Sequence, residues 1–157
     1  MPIPADFVDE CLYAPEAWFI HDVESIDENA VHAVIDTQRL GLLVDAQRPW
    51  PGHPRHLPGA VVIQATGTLG ALHAVYAMNM RPSQGWVGFG THIRQARFGR
   101  MGAIGPPVRA KLQVTKKRQF RGTWFFDYDF RFEQGDDLCY ASEQTAAWVR
   151  SPMDAPR

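Results

Sequence analysis

The chain has 157 residues, of which 45% are hydrophobic and 21% are charged, so it is long and apolar enough to bury the core of one folded domain. This composition excludes a disordered protein, a fibrous repeat and a small scaffold held together by disulfides. The formal net charge of −1 does not by itself predict a polyanionic partner.

Three further features favour a cytoplasmic protein. The two cysteines, Cys11 and Cys139, form no CxxC motif and suit a reducing compartment. Residues 1–10, MPIPADFVDE, are acidic and lack a signal-peptide pattern. No apolar run reaches the ~20 residues that a membrane-spanning helix needs, so we expect no membrane partner.

The charges are distributed unevenly along the chain. The first 45 residues carry ten of the seventeen acidic residues, and no acidic residue lies between Asp45 and Asp127. Twelve of the sixteen Lys and Arg residues lie in that interval: Arg48, Arg55, Arg81, Arg94, Arg97, Arg100, Arg109, Lys111, Lys116, Lys117, Arg118 and Arg121. This basic interval favours a face that binds an anion, such as a CoA phosphate or an acidic carrier protein; alternatively, the acidic ends neutralise it in the folded protein. The basic residues form no known nucleic-acid-binding module, so no nucleic-acid partner is expected.

The first third of the chain predicts a short helix, a hairpin and an irregular loop. Residues 4–13 are compatible with a short helix. Residues 17–23 and 30–37 have the composition of strands, and the turn-forming residues 27–29 join them into a hairpin. Residues 46–58 contain four prolines and predict no regular element.

Residues 59–80, GAVVIQATGTLGALHAVYAMNM, predict one long helix. Pro58 precedes it and Pro82 follows it closely, as is typical at the ends of helices. A helix of this length spans about 33 Å. Because its residues are apolar or small nearly all round, we expect it to be buried on most sides.

Two expectations concern single positions of this helix. Gln64, Gly67, Thr68 and Ala71 are predicted to share a face of small and polar residues, which another backbone or a ligand can approach closely. His73 lies among apolar residues and is expected to be a hydrogen-bonded histidine of the core.

The rest of the chain predicts antiparallel strands. A single long helix with these strands predicts an α+β fold. A hairpin turn is expected at residues 134–137, and residues 151–157 are expected to fray. The predicted strands are 86–98, 108–115, 122–133 and 138–149.

Residues 49–65, PWPGHPRHLPGAVVIQA, carry a recognisable motif. They resemble the segment of the hot-dog-fold 3-hydroxyacyl-carrier-protein dehydratases that reads His-Phe-Pro-Gly-x-Pro-x-x-Pro-Gly, then four mostly apolar residues, then Glu or Asp. The residues that match, with one extra residue between the two parts, are Pro51, Gly52, Pro54, Pro58 and Gly59. The likeness covers about residues 5–150 and implies a single hot-dog domain over 1–157, in which an antiparallel sheet wraps a long apolar central helix.

The resemblance also implies a function. The protein is expected to bind an acyl thioester, on CoA or on an acyl carrier protein, without a cofactor. Its site is expected to lie between the subunits of a homodimer or of a larger assembly of dimers. The first amides of a helix are unpaired and carry partial positive charge, so the N–H groups of Gly59 and Ala60 can bind the thioester oxygen.

Other residues occupy the two catalytic positions of the family. Its histidine position falls at Pro49 or Trp50, and neither side chain transfers a proton as histidine does. Its acid position is Gln64, whose amide can hold a hydroxyl group or a water but cannot shuttle protons. The string RHLPGAVVIQA also resembles the A-factor-type butenolide synthases, whose histidine three residues before the glycine matches His56. We therefore take His56 as the first candidate base and His53 as the second.

Further residues are candidates for contact with the substrate. Ala60 supplies the second amide, and Trp50, Gly67 and Thr68 lie in the loop or on the helix beside it. His92 lies on a strand that flanks the helix and faces either the ligand or solvent. The histidines of this region have no standard metal-site spacing and no acidic partner, so no metal site is expected.

Three functions remain open at this point. The first is a hydro-lyase that acts on 3-hydroxyacyl thioesters, with His56 in place of the usual histidine. The second is an acyl thioesterase, in which Gln64 positions water and the Gly59 and Ala60 amides polarise the thioester. The third is a non-catalytic subunit that binds acyl chains or completes a heteromeric dehydratase.

Overall fold

A computed structural model describes residues 1–151 as a six-stranded antiparallel sheet that packs around one long helix. The strands pair in the order β1-β2-β4-β5-β6-β3, so that β1 and β3 form the two edges. This architecture confirms the predicted α+β fold with a central apolar helix. The predicted frayed end, apart from Ser151, lies outside the described residues. The strands are β1 (Asp22–Ile26), β2 (Ala30–Ile35), β3 (Trp86–Phe98), β4 (Val108–Phe120), β5 (Thr123–Gln134) and β6 (Asp137–Arg150).

The helices comprise two short ones and the long central one. The central helix continues as one π-helical turn over His73–Ala77. Single 3₁₀ turns connect other elements at Pro15–Ala17, Thr37–Arg39 and Pro82–Gln84. The α-helices are α1 (Phe7–Glu10), α2 (Leu42–Asp45) and α3 (Gly59–Leu72).

The central helix ends earlier than predicted. Its last turn closes at Ala77, and Asn79 has a φ of 52°, in the left-handed region that ends a helix. The N–H of Met80 then donates to the carbonyl oxygen of Ala74 at 2.8 Å. By length and composition, Gly59–Ala77 is the one described helix able to cross a membrane. However, 56% of its most apolar window is buried inside the fold, as in the core helix of a globular domain.

The core lies between this helix and the inner face of the sheet. On β5 the buried aromatic residues Phe126, Tyr128, Phe130 and Phe132 alternate with outward-facing polar residues. A methyl group at Gly70 would lie 3.8 Å from the Tyr128 ring, which shows how closely α3 packs on β5. Burial of each large apolar side chain stabilises the fold by about 1.5–3 kcal/mol.

One stripe of α3 stays uncovered. Ala60, Ile63 and Gly67 are exposed, and Gln64 and Ala71 are half-buried, at the spacing of one helix face. Thr68 lies on the same side of α3, one turn after Gln64, but the backbone of another segment covers it. It is buried, and its hydroxyl donates to the carbonyl oxygen of Trp18 at 2.9 Å.

Two strand boundaries differ from the predicted ones. The strand expected at 17–23 begins only at Asp22, because Phe19 has a φ of 57° and bends the chain after a 3₁₀ turn. Strand β4 continues five residues beyond the predicted end at Thr115, up to Phe120. Across this extension Arg118 donates to a carboxylate oxygen of Asp127 at 2.7 Å, which favours continued pairing with β5.

His73 is a hydrogen-bonded residue of the core, as predicted. It is fully buried, and its Nε2–H donates to the carbonyl oxygen of Glu28 at 3.2 Å. Its Nδ1 accepts the hydroxyl hydrogen of Tyr128 at 3.0 Å. These two contacts use both ring nitrogens of a neutral imidazole, and burial lowers the pKa of His73.

We expect the stability of the fold to fall as the pH drops below about 6.5, the pKa of an unfolded histidine. Burial lowers the pKa of His73 and of His21 in the folded state, so the unfolded state binds more protons in this range. Each histidine contributes a slope of at most about 1.4 kcal/mol per pH unit. Urea unfolding at pH 7.5, 6.5 and 5.5 measures this loss. The dependence of the unfolding free energy on pH is expected to be weaker in His73→Gln but unchanged in the control His53→Gln, since His53 is exposed. An unchanged pH dependence in His73→Gln would contradict the role given to buried His73.

Candidate functional site

A cavity of about 220 Å³ lies at the N-terminal end of the central helix. Three segments line it: the end of the proline-rich loop with the first turn of α3, the segment that follows β3, and Cys139 on β6. His56 and Gly59 both lie in its wall, so the structure brings together the first candidate base and the proposed oxygen-binding glycine. The other lining residues are Leu57, Val62, Phe98, Gly99, Arg100, Met101 and Gly102.

The first amides of α3 are available to a ligand. Pro58 precedes the helix, and its carbonyl oxygen accepts the N–H groups of Val61 at 3.1 Å and Val62 at 3.4 Å. Within residues 1–151, the N–H groups of Gly59 and Ala60 have no hydrogen-bond partner. They carry the partial positive charge of the helix start, which suits an oxygen that gains negative charge during a reaction.

The ring of Phe98 covers Gly59. A β-carbon added at Gly59 would lie 3.0 Å from Cε1 and 3.3 Å from Cζ of Phe98. Glycine at this position therefore lets an aromatic ring approach the helix backbone closely. Phe98 is 56% exposed, so its ring is not locked by surrounding atoms.

His56 is held by its backbone and oriented through its ring. The Gln47 side chain accepts the His56 N–H at 3.0 Å and donates to the His56 carbonyl oxygen at 2.9 Å. Ring atom Nδ1 lies 3.2 Å from the carbonyl oxygen of Pro54. A carbonyl oxygen can only accept, so Nδ1 carries the hydrogen and Nε2 keeps its lone pair as a base.

The other loop candidates lie beside the cavity and do not line it. The ring centroid of His53 lies 5.1 Å from that of His56. His53 and Trp50 close a tight turn, in which each N–H donates to the carbonyl oxygen of the other, at 2.8 and 3.0 Å. Trp50 is 71% exposed. These two residues shape the loop that presents His56.

The candidate residues on α3 differ in exposure and in their contacts. Ala60 is exposed next to Gly59, whereas Gln64 and Gly67 follow on the uncovered stripe of α3. A methyl group at Gly67 would meet nothing within 4 Å. Gln64 does not line the cavity of His56, and its side chain makes no hydrogen bond in the described part of the chain. Buried Thr68 contacts Trp18 and supports the fold.

His92 lies on the other side of the sheet. It pairs across the ladder with Thr145, whose hydroxyl donates to Asp127 at 2.7 Å on the outer face. Its Nδ1 lies 3.1 Å from the hydroxyl of Thr91. The structure therefore separates His92 from His56 and Gly59.

Acidic residues from outside the basic interval neutralise part of it. Arg118 lies 2.7 Å and Arg94 3.9 Å from the same oxygen of Asp127. Arg100, at the edge of the cavity, lies 3.2 Å from Asp137. Counting only carboxylates in residues 1–151, five of the twelve cations have one within 4 Å: Arg81, Arg94, Arg100, Lys117 and Arg118. These pairs support partial neutralisation of the basic interval, and a face that binds an anion stays a prediction.

Most of the lining residues were not predicted from the sequence, among them Phe98, Met101 and Cys139. Phe98 and Met101 are exposed apolar residues close to Gly99, and Cys139 is buried on β6, where its carbonyl oxygen accepts the N–H of Gly99 at 2.9 Å. Burial raises the pKa of Cys139, so its thiol stays protonated at neutral pH. In the sequence, the available indication of a close approach between two segments was the pair of glycines, Gly99 and Gly102, on either side of Arg100 and Met101. Among the described residues, no three His, Cys, Asp or Glu side chains are grouped as metal ligands.

Comparisons with known proteins match the fold. No family model matches the chain, and no curated protein matches its sequence. A chain of the dehydratase heterocomplex ApeI:P from Xenorhabdus doucetiae superposes with a TM-score of 0.63 at 16% identity, over 93% of this chain and 91% of that one. A thioesterase from Haemophilus influenzae superposes with a TM-score of 0.62 at 18% identity, over 99% and 96% of the two chains. The PaaI protein from the phenylacetic acid degradation operon of Escherichia coli gives 0.55 at 17%, over 80% of each chain.

The matched structures include both a dehydratase and thioesterases, at identities that establish the fold alone. Together with the six-stranded antiparallel sheet around a central helix, they confirm that this chain has the hot-dog fold.

Proposed function

We propose that this protein binds an acyl thioester, on CoA or an acyl carrier protein, and removes water from a 3-hydroxyacyl chain. The observation that carries this proposal is the shared cavity of His56 and the unpaired amide of Gly59. A base and an oxygen-binding site at one cavity are the two groups that this elimination needs. The dehydratase among the matched structures is consistent with it.

In the proposed reaction, His56 acts as both base and acid. Its Nε2 removes the proton from C2 of the chain, and the amides of Gly59 and Ala60 bind the thioester oxygen as that oxygen becomes negative. The C3–O bond then breaks, the double bond forms between C2 and C3, and the leaving hydroxide takes the proton from Nε2 as water. Among the described residues that line the cavity there is no carboxylic acid, so we assign the return of the proton to His56 itself.

A second candidate function is hydrolysis of the thioester. Two observations favour it: thioesterases superpose on the chain, and Gln64 stands where the dehydratase pattern has an acid. In this reaction the same two amides polarise the thioester, and Gln64 positions the water that attacks it. A third candidate, a non-catalytic subunit, fits the same binding site without a reaction.

Incubation with a set of 3-hydroxyacyl-CoA and saturated acyl-CoA thioesters distinguishes the three functions. Mass spectrometry is expected to show loss of water from the 3-hydroxyacyl members and no reaction of the saturated members. Release of free CoA from both kinds would instead establish a thioesterase. No change in any member, together with measurable binding, would establish the non-catalytic subunit.

We also propose that the protein is a cytoplasmic homodimer, or an assembly of such dimers, joined through strand β3. This strand is thirteen residues long and lies at the edge of the sheet, with one side of its backbone unpaired. It carries the exposed apolar residues Phe89 and Ile93, and the uncovered stripe of α3 adds Ile63. A second copy covers this apolar surface and pairs the free edge, which an isolated chain leaves open to aggregation.

Sedimentation of the protein is expected to show a dimer that dissociates when Ile93 is replaced by lysine, because a charge on an edge strand opposes pairing. The control is Leu12→Lys, since Leu12 is 89% exposed and lies far from β3 along the chain. A wild-type monomer, or a dimer unaffected by Ile93→Lys, would contradict the proposed interface.

A further inference from the structure

Tyr140 carries a buried polar group with no partner. Its side chain is fully buried on β6, and within residues 1–151 its hydroxyl oxygen has no hydrogen-bond partner. Buried hydroxyl groups elsewhere in the fold are paired. The Tyr128 hydroxyl lies 3.0 Å from Nδ1 of His73, and the Thr68 hydroxyl lies 2.9 Å from the Trp18 carbonyl oxygen. A buried hydroxyl without a partner is costly, and it therefore requires an explanation.

Tyr140 packs against a residue that lines the cavity. Its ring centroid is 5.2 Å from that of Phe98, the residue whose ring lines the cavity and covers Gly59. Its neighbour on β6, Cys139, also lines the cavity. The Tyr140 ring is thus in contact with an aromatic side chain of the cavity wall.

The inner face of β6 is polar next to Tyr140. Ser142 and Gln144 follow at alternate positions, and the Gln144 amide donates to the Ser142 hydroxyl at 3.0 Å. The same amide donates to the Thr66 hydroxyl of α3 at 3.1 Å. These three side chains satisfy one another, so Tyr140 is the member of this polar row that has a hydrogen bond left to make.

We propose that the Tyr140 hydroxyl recognises an oxygen atom on the acyl chain of the bound thioester. This inference rests on the function proposed above and adds a residue that selects the chain, by preferring one that bears a hydroxyl or keto group over a saturated one. The Phe98 ring, half exposed at the mouth, turns aside to let the chain reach Tyr140, and little apolar burial is lost when it does so. A phenol both donates and accepts, so either kind of oxygen is a suitable partner.

The test compares two CoA thioesters of equal chain length, acetoacetyl-CoA and butyryl-CoA, by calorimetry with wild type and Tyr140→Phe. Wild type is expected to bind acetoacetyl-CoA more tightly. Tyr140→Phe is expected to bind butyryl-CoA unchanged and to lose about 5- to 10-fold in affinity for acetoacetyl-CoA, the effect of one hydrogen bond. Its unfolding midpoint in urea should equal or exceed that of wild type, because the removed hydroxyl has no partner in the free protein.

The matched control is Tyr128→Phe, which removes a buried hydroxyl that is paired with His73. It should lower stability and leave the discrimination between the two thioesters intact. The inference is overturned if Tyr140→Phe keeps the preference for acetoacetyl-CoA, weakens both ligands equally, or is less stable than wild type. If wild type binds neither thioester, the proposed function itself fails. If wild type binds both equally well, thioester binding stands and the role of Tyr140 is contradicted.

Discussion

Gly59→Val is expected to reduce the turnover or binding of an acyl thioester by about 100- to 1,000-fold, the usual effect of losing one oxygen-binding donor. The added methyl groups stand where the thioester oxygen has to approach the amides of Gly59 and Ala60. They also press on Phe98, because even a single β-carbon at Gly59 would lie 3.0 Å from its ring. Steady-state kinetics and calorimetry measure the loss, and thermal unfolding should show only the moderate cost of overpacking, about 1–3 kcal/mol.

Two further variants separate the possible causes. Gly67→Ala adds a methyl group on the same helix where nothing lies within 4 Å, so it should leave activity nearly unchanged. Gly59→Val combined with Phe98→Ala removes the pressure on the ring but leaves the approach to the amides blocked, so it should stay inactive. A folded Gly59→Val protein with normal binding and turnover would place the site elsewhere.

His56→Gln is expected to lower kcat by about 100- to 10,000-fold, the range that general acid–base catalysis contributes. Within residues 1–151 the cavity lining contains no carboxylic acid that could take over the proton. The fold should be retained, since Gln47 holds the backbone of residue 56 and not its ring. Turnover of a 3-hydroxyacyl-CoA and circular dichroism measure these two expectations.

His53→Gln is the matched control for this variant. Its ring neighbours that of His56, but His53 does not line the cavity. We therefore expect a change in kcat of less than about tenfold. If His53→Gln is inactive and His56→Gln is active, the order of the two candidate bases is wrong.

Hydrophobic pattern and turn chemistry were sufficient to predict most of the fold. The alternation of aromatic and charged residues along β5 indicates a strand with one buried face, and Gly135 marks the hairpin that follows it. The boundaries were less predictable because they depend on single backbone conformations. Phe19 and Asn79 have positive φ angles, so β1 begins later and the central helix ends earlier than predicted. Neither residue type by itself predicts a positive φ angle.

The candidate site was predictable where it is local in the chain. His56, Gly59 and Ala60 lie within one loop and one helix turn, so a motif in the sequence already places them together. Thr68 lies on the predicted face, but the segment that contains Trp18 covers it, and a helical pattern carries no information about which segment does so.

Residues from distant segments could not be assigned to the site from the sequence. Phe98 and Cys139 reach the cavity through the pairing of β3 with β6, and the β-bulges in that ladder set which side chains face inward. The unpaired hydroxyl of Tyr140 is likewise visible only once its neighbours are known. Hydrophobic alternation gives the face of a strand but not the partners that it meets there.

The central claim is that an acyl thioester binds at the start of the central helix. Two-dimensional amide NMR of the ¹⁵N-labelled protein, titrated with butyryl-CoA, tests it most directly. We expect saturable shifts that are largest for the N–H groups of Gly59 and Ala60, with little change at Gly67. Saturable shifts confined to the outer face of the sheet, around Arg94 and Thr145, with Gly59 and Ala60 unmoved, would contradict it.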